Sequence, residues 1–278
     1  MTSPALGEIG VWRAGAALTP DLAASLERLG YGALWVGGSP SGDLEVVEGM
    51  LGATSKLTVA TGIVNIWTAE ARTVATSFHR IERAVPGRFL LGVGAGHPEA
   101  TEEFTKPYDA LRRYLDVLDE SGVPRDRRML AALGPKVMRL AGERSAGAHP
   151  YLTTPEHTRR AREILGHGPL LAPEQKVVLS EDPVAARELA RRTLRLYLGL
   201  RNYTANLRRL GFTDDDLAAP GSDRLVDALV MHGPPAAVRH GVRAHLAAGA
   251  DHVAVQILHA PDADPTTDYR TLADILFG

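Results

Sequence analysis

The run Arg88–Gly96 carries no polar side chain after Arg88 and ends in glycines at 92, 94 and 96. A half-buried strand alternates apolar and polar residues, whereas this one offers both of its faces to an interior. That pattern belongs to parallel sheets covered on both sides, where helices return the chain from the end of one strand to the start of the next. Pro86-Gly87 precedes the run as a turn signal, and the glycines put no bulk where the strand emerges. His97 stands just past that end. In parallel α/β proteins the carboxyl ends of the strands are where ligands bind, so His97 has two readings: an exposed loop histidine or a group at a site.

The rest of the chain repeats the rhythm. Strand candidates at 8–13, 33–36, 57–66, 88–96, 128–133, 148–152, 170–179 and 252–258 alternate with helical stretches. Thr19-Pro20-Asp21 starts the first helix, and Leu22, Leu26 and Leu29 supply its apolar face up to Gly30. Further helices are expected at about 44–54, 70–83, 106–121, 135–145, 155–165, 234–248 and 269–277. Residues 183–211 read as one long helix or a broken pair, Asp214–Asp216 and Pro220-Gly221 mark a loop beyond it, and the irregular region around Gly199–Asp223 reads as an insertion. Eight strands in this alternation imply parallel pairing with right-handed crossovers and favour a closed (β/α)8 TIM barrel, an α/β fold, with an insertion after strand seven. No Gly/Pro/Ser-rich linker, charge run or low-complexity tract divides the 278 residues, so a single domain over 1–278 is expected.

Composition removes several functions. A net charge of −2 gives no basic field for nucleic acid or a membrane surface. With no cysteine there is no disulfide, thiolate metal site or cysteine nucleophile. Met1–Arg13 lacks a basic stretch followed by a long apolar one, and no apolar run is long enough to span a bilayer, so a cytoplasmic protein is expected.

The strand ends collect Gly37-Gly38-Ser39, Gly62–Trp67, Gly94–His97, Leu133-Gly134-Pro135, Tyr151–Thr154, Glu174-Gln175 and Gln256. This mouth is rich in glycine, amides and hydroxyls. It holds no carboxylate pair, no metal-spaced cluster, no Gly-x-Ser-x-Gly elbow and no phosphate-binding P-loop, and no metal is expected. Such a mouth suits a large planar or phosphorylated cofactor held by backbone groups. The helix opening at Gly134-Pro135 is either an ordinary strand-to-helix turn or a phosphate site made by its free N–H groups. Thr153 and Thr154 before Pro155 are helix caps first and phosphate contacts second. Trp67 lines a pocket or is simply half-buried.

Several stretches, in order along nearly the whole chain, resemble the bacterial luciferase-like superfamily of (β/α)8 flavin and deazaflavin enzymes. They are Leu34–Val36, Ala60–Trp67, Gly87–His97, Ala132–Lys136, Gly147–Tyr151 with Thr153–His157, and Ala248–Val253. The resemblance is nearest to the actinobacterial branch of probable coenzyme F420-dependent oxidoreductases. It implies a bulge in strand three with a non-prolyl cis peptide behind the cofactor ring. The matching bond is Gly62-Ile63, with Val64 as the fallback and Asn65 at the cofactor edge. It also implies Gly38, Ser39 and Gly96 beside the cofactor, Leu133 as an apolar neighbour, Gly134 at its phosphate, and Tyr151, Thr153 and Thr154 along the phosphate and tail. His97 falls where related enzymes place a polar or acidic group near the reacting carbon, as proton donor or substrate contact. Several deazaflavin enzymes carry an Asp-His pair after strand two, where this chain has Gly38-Ser39, which moves weight to His97. The chain is also shorter between strands four and five, implying a more open substrate pocket.

The resemblance thus implies hydride transfer between coenzyme F420 and a small organic substrate, the cofactor carrying the difficult chemistry. The alternatives are an FMN-dependent monooxygenase served by a separate flavin reductase, and a non-catalytic flavin-binding or dimer-partner protein. Family members dimerise through helices near strands two and three, so a homodimer is expected. Val46, Val47, Met50 and Leu51 fit that role or an intramolecular core.

Overall fold

The computed structural model describes residues 5–96, 106–260 and 263–278. Among these, eleven strands join one parallel sheet: β1 (Ile9–Ala14), β2 (Ala33–Gly37), β3 (Thr58–Gly62), β4 (Val64–Asn65), β5 (Phe89–Gly94), β6 (Arg128–Leu130), β7 (Gly147–Ala148), β8 (Leu170–Leu171), β9 (Glu174–Val177), β10 (Val230–Met231) and β11 (Val253–Ile257). The order is β10-β9-β11-β1-β2-β3-β5-β6-β7-β8, with β4 paired to β5. The sheet curls until its ends meet. Only Ala172-Pro173 separates β8 from β9, and Ala172 N donates to Ala148 O at 2.9 Å while Pro173 O accepts from Ala254 N at 2.9 Å. One interrupted strand therefore bonds the β7 side with one flank and the β11 side with the other, which closes the barrel.

Outside the sheet lie α1 (Pro20–Arg28), α2 (Glu45–Gly52), α3 (Ala71–Ala84), α4 (Pro107–Glu120), α5 (Pro135–Arg144), α6 (Pro155–Leu165), α7 (Pro183–Leu198), α8 (Arg201–Arg209), α9 (Asp214–Leu217), α10 (Asp223–Leu229), α11 (Pro235–Ala247) and α12 (Pro265–Phe277). Their starts follow the sequence. Thr19 caps α1 by accepting from Leu22 N, and Thr154, Asp182 and Asp264 cap α6, α7 and α12, each followed by proline at the first helical position.

Alternation along each strand sorts the side chains. Val11, Leu34, Val36, Val59, Phe89 and Leu91 face the helices, with Leu26, Val47, Val74, Phe78 and Leu115 in the same core. Trp12, Ala33, Trp35, Ala60, Leu90, Met129 and Ala254 form a separate cluster inside the barrel. Alanines opposite tryptophans leave room for the large rings. A third cluster joins α7, α8 and α10 to Leu152, Val178 and Leu258.

Several expected boundaries moved. Residues 57–66 form two strands with Ile63 between them, and 148–152 pair only at Gly147–Ala148. Leu152, expected in strand six, takes a left-handed backbone at φ +56, which no strand accepts. Residues 183–211 are the broken pair, α7 and α8, and the loop expected from Asp214–Asp216 and Pro220-Gly221 contains α9, closed by a Thr213–Asp216 capping box. Strand β10 was not anticipated, because two residues carry too little pattern to read. None of the helices is long and apolar enough to cross a membrane among the described residues.

Candidate functional site

The carboxyl ends of β2 to β6 open into a cavity of about 510 Å³. Such a volume falls in the range of ligand pockets. Backbone at Gly38, Ser39, Gly62, Ile63, Ala95 and Gly96 forms one side. Pro107, Tyr108 and Leu111 of α4 and Ala131–Gly134 with Val137 form a second, and Tyr151, Tyr197, Asn202 and Tyr203 a third. Among the described lining residues none is Asp, Glu, Lys or Arg, so the walls bind by shape, amides and hydroxyls.

The Gly62-Ile63 peptide is cis. Gly62 O accepts from Trp12 Nε1 at 3.1 Å, and the Trp12 ring leans on Tyr151 with centroids 5.2 Å apart. A Cβ at Gly62 would lie 2.8 Å from Trp12 Nε1 and 3.2 Å from His149 Nε2, so only glycine leaves this corner intact. Asn65 Oδ1 accepts from Trp67 N at 3.0 Å, and Trp67 Nε1 donates to Ala95 O at 2.7 Å. Trp67 is thereby tied to the β5 end and does not line the cavity.

His149 lines the cavity floor, 1% exposed and stacked on Trp35 with centroids 4.1 Å apart. Its Nδ1 lies 2.7 Å from Ala172 O, and a carbonyl only accepts, so Nδ1 carries the hydrogen. Burial lowers its pKa to about 4, with His252 and Lys176 pushing the same way, so Nε2 is a bare acceptor at neutral pH. That nitrogen has no hydrogen-bond partner.

On the tyrosine side, Tyr151 Oη donates to Gln256 Oε1 at 2.9 Å and lies 2.9 Å from Tyr197 Oη. Burial holds both phenols above their ordinary pKa, so they stay neutral donors. Beneath Tyr151 lies a wholly buried ion pair, Lys176 Nζ to Glu174 Oε1 at 2.9 Å, with Nζ 3.8 Å from the ring centroid. Gly134 is the N-cap of α5 and makes no side-chain cap, and Arg209 of α8 comes within 3.9 Å of where a Gly134 Cβ would sit. A helix start with free N–H groups beside a guanidinium favours an anion.

Of the residues singled out from sequence, Gly38, Ser39, Gly62, Ile63, Asn65, Gly96, Gly134 and Tyr151 meet around this cavity, as does Leu133. Val64 instead points into the helix-facing core and is fully buried. Thr153 and Thr154 are buried off the cavity lining, and Thr154 caps α6. His97 lies outside the described residues, directly after Gly96 in sequence. Sequence reading missed Trp12, His149, Tyr197, Asn202, Tyr203 and the Glu174–Lys176 pair. Only the last left a usable signal: a Glu and a Lys two apart on a strand share a face.

A parallel α/β barrel with a cavity at its strand ends, glycine-walled and without formal charge among its described lining residues, defines the class of fold and site. Residues 7–122 match the family model of luciferase-like monooxygenases, and over the whole chain the barrel fold is shared with solved structures. An F420-dependent secondary alcohol dehydrogenase, solved with an F420-acetone adduct, superimposes with TM-score 0.75 at 15% identity over 98% of both chains. The coenzyme F420-dependent tetrahydromethanopterin reductase of Methanopyrus kandleri gives TM-score 0.70 at 16% identity, covering 98% of this chain and 99% of its own. The oxygenating constituent of 3,6-diketocamphane monooxygenase of Pseudomonas putida, solved with FMN, gives TM-score 0.65 at 18% identity over 96% of both chains. No curated protein matches the chain.

Proposed function

We propose that this protein is an oxidoreductase that binds the deazaflavin coenzyme F420 in the strand-end cavity and transfers a hydride between it and a small organic substrate. The observation that carries the reading is the convergence of Gly38, Gly62, Ile63, Asn65, Gly96, Gly134 and Tyr151 on one cavity without formal charge among its described lining residues. The residues fit the group. Glycine backbone and the rings of Trp12 and Tyr151 suit a flat polycycle, the unpartnered His149 Nε2 marks a polar corner, and the α5 start with Arg209 suits a phosphate. When bound, the deazaflavin supplies the hydride donor or acceptor. The protein's part is to back the ring with the Gly62-Ile63 segment, anchor its anion at Gly134, and exclude water with the tyrosine side. His97, next after Gly96, is proposed as the group that gives or takes the substrate proton.

FMN is the second reading, an oxygen-using enzyme supplied by a flavin reductase. The family model and the FMN-bound relative favour it. Titrating purified protein with oxidised F420 and with FMN, followed by fluorescence, separates the two. Tight F420 and weak FMN binding is expected; tight FMN binding with none of F420 would overturn the deazaflavin reading. Binding without turnover of alcohols, aldehydes or ketones would favour the non-catalytic reading.

A further inference from the structure

Leu152 is 1% exposed and adopts φ +56, a conformation that bulky L-residues reach only when their surroundings impose it. It follows Tyr151, whose ring lines the cavity. Its N–H donates to Glu174 Oε2 at 3.1 Å, while Glu174 Oε1 takes Lys176 Nζ at 2.9 Å. Nζ in turn lies 3.8 Å from the Tyr151 ring centroid and 5.5 Å from that of Tyr197. Glu174 is 1% exposed and Lys176 fully buried. One carboxylate therefore grips the left-handed backbone with one oxygen, and with the other holds the cation supporting the neighbouring ring. Replacing a buried ion pair by apolar residues of similar volume is often neutral or stabilising, so stability alone does not explain these charges in a barrel interior.

We propose that Glu174, charge-balanced by Lys176, is a positioning residue for the cavity. It holds residue 152 left-handed and so sets Tyr151 and the 149–154 loop in their binding form before any ligand arrives. Preformed loops bind more tightly because the ordering cost is met in folding. Glu174 does not itself line the cavity, and its proposed effect runs through Leu152 and Tyr151.

The binding arm of the test rests on the cofactor reading above; the exchange arm does not. In E174M/K176M the barrel should stay folded with Tm equal to or above wild type. Amide hydrogen exchange across residues 151–153 should accelerate by about tenfold or more. Affinity for whichever of F420 or FMN binds wild type should fall about tenfold. Adding L152G should recover most of that affinity even if Tm drops, because glycine takes positive φ without help. A purely structural pair would lower Tm and leave no such rescue. Should E174M/K176M not fold, E174Q with and without L152G asks the same question through the same exchange and rescue. Unchanged exchange at 151–153 would overturn the proposal, as would unchanged affinity or absence of rescue by L152G. If neither F420 nor FMN binds wild type, the cofactor reading fails and the exchange result still decides this one.

Discussion

Gly37 closes β2, and a Cβ added there would lie 2.0 Å from Trp12 Cζ2 and 2.4 Å from Cε2 and Cη2. Carbon atoms pack at about 3.5 Å, so in Gly37→Ala the indole must retreat by roughly 1.5 Å. It cannot retreat freely, since Nε1 is bonded to Gly62 O at 3.1 Å and Tyr151 lies against the ring. Overpacking of this kind costs about 1–3 kcal/mol, and losing the indole hydrogen bond adds about 1 kcal/mol. For a chain of this size about 1 kcal/mol moves Tm by roughly 2 °C, so calorimetry should read a fall of roughly 4–8 °C. Because the indole lines the cavity, the same substitution should weaken binding of the F420 or FMN probe by about tenfold. A double-mutant cycle isolates the cause. With Trp12→Leu in place the clash partner is gone, and G37A should then cost less than about 1 kcal/mol, a coupling of about 1 kcal/mol or more. A G37A protein melting within about 1 °C of wild type, or a cycle without coupling, would refute the reasoning.

Three other outcomes are expected. Burial lowers His149 and His252 to about 4 and His245 to about 3, all below the unfolded value. The unfolded chain thus takes up protons first, so stability is full above about pH 6.5 and is lost as pH falls towards 4, by up to about 3 kcal/mol per histidine; a Tm flat from pH 7 to 4.5 would contradict this. Arg128 is fully buried on β6 and paired with Asp119, whose carboxylate this partner and Arg144 hold below its ordinary pKa. D119N strands that guanidinium and should cost about 3–5 kcal/mol in urea denaturation, with R128M recovering part of the loss in the double variant. His97→Ala should lower kcat by about a hundredfold while leaving probe affinity within a few-fold; unchanged turnover would remove His97 from the proton step.

Local pattern was enough for the architecture. Apolar runs such as 88–96 announce strands buried on both faces, and capped, proline-started segments such as Thr19-Pro20 and Thr154-Pro155 announce the helices between them. These are properties of near neighbours, so they survive without tertiary information. The glycine signals at 62, 96 and 134 were legible for the same reason, and they fall around the cavity. The fallback position, Val64, lies in the helix-facing core, because which of two adjacent strand residues faces the cavity depends on how β4 pairs with β5, a nonlocal register.

What the linear chain left open was decided by closure of the barrel. Trp12 on β1 lies far in sequence from His149 and Tyr151 after β7, and they meet only when β8 and β9 bridge the two ends of the sheet. The neutrality of His149 likewise comes from burial, helped by His252 and Lys176, and Ala172 O sets only its tautomer; its own neighbours in sequence specify none of these. At Leu152, where local preference points to a strand, the backbone turns left-handed and its N–H meets a carboxylate 22 residues away. Sequence alone determined that the chain alternates strand and helix and where it thins to glycine. Tertiary structure decided which side chains line the resulting space and in what charge state, because burial and long-range pairing arise only once the sheet has closed.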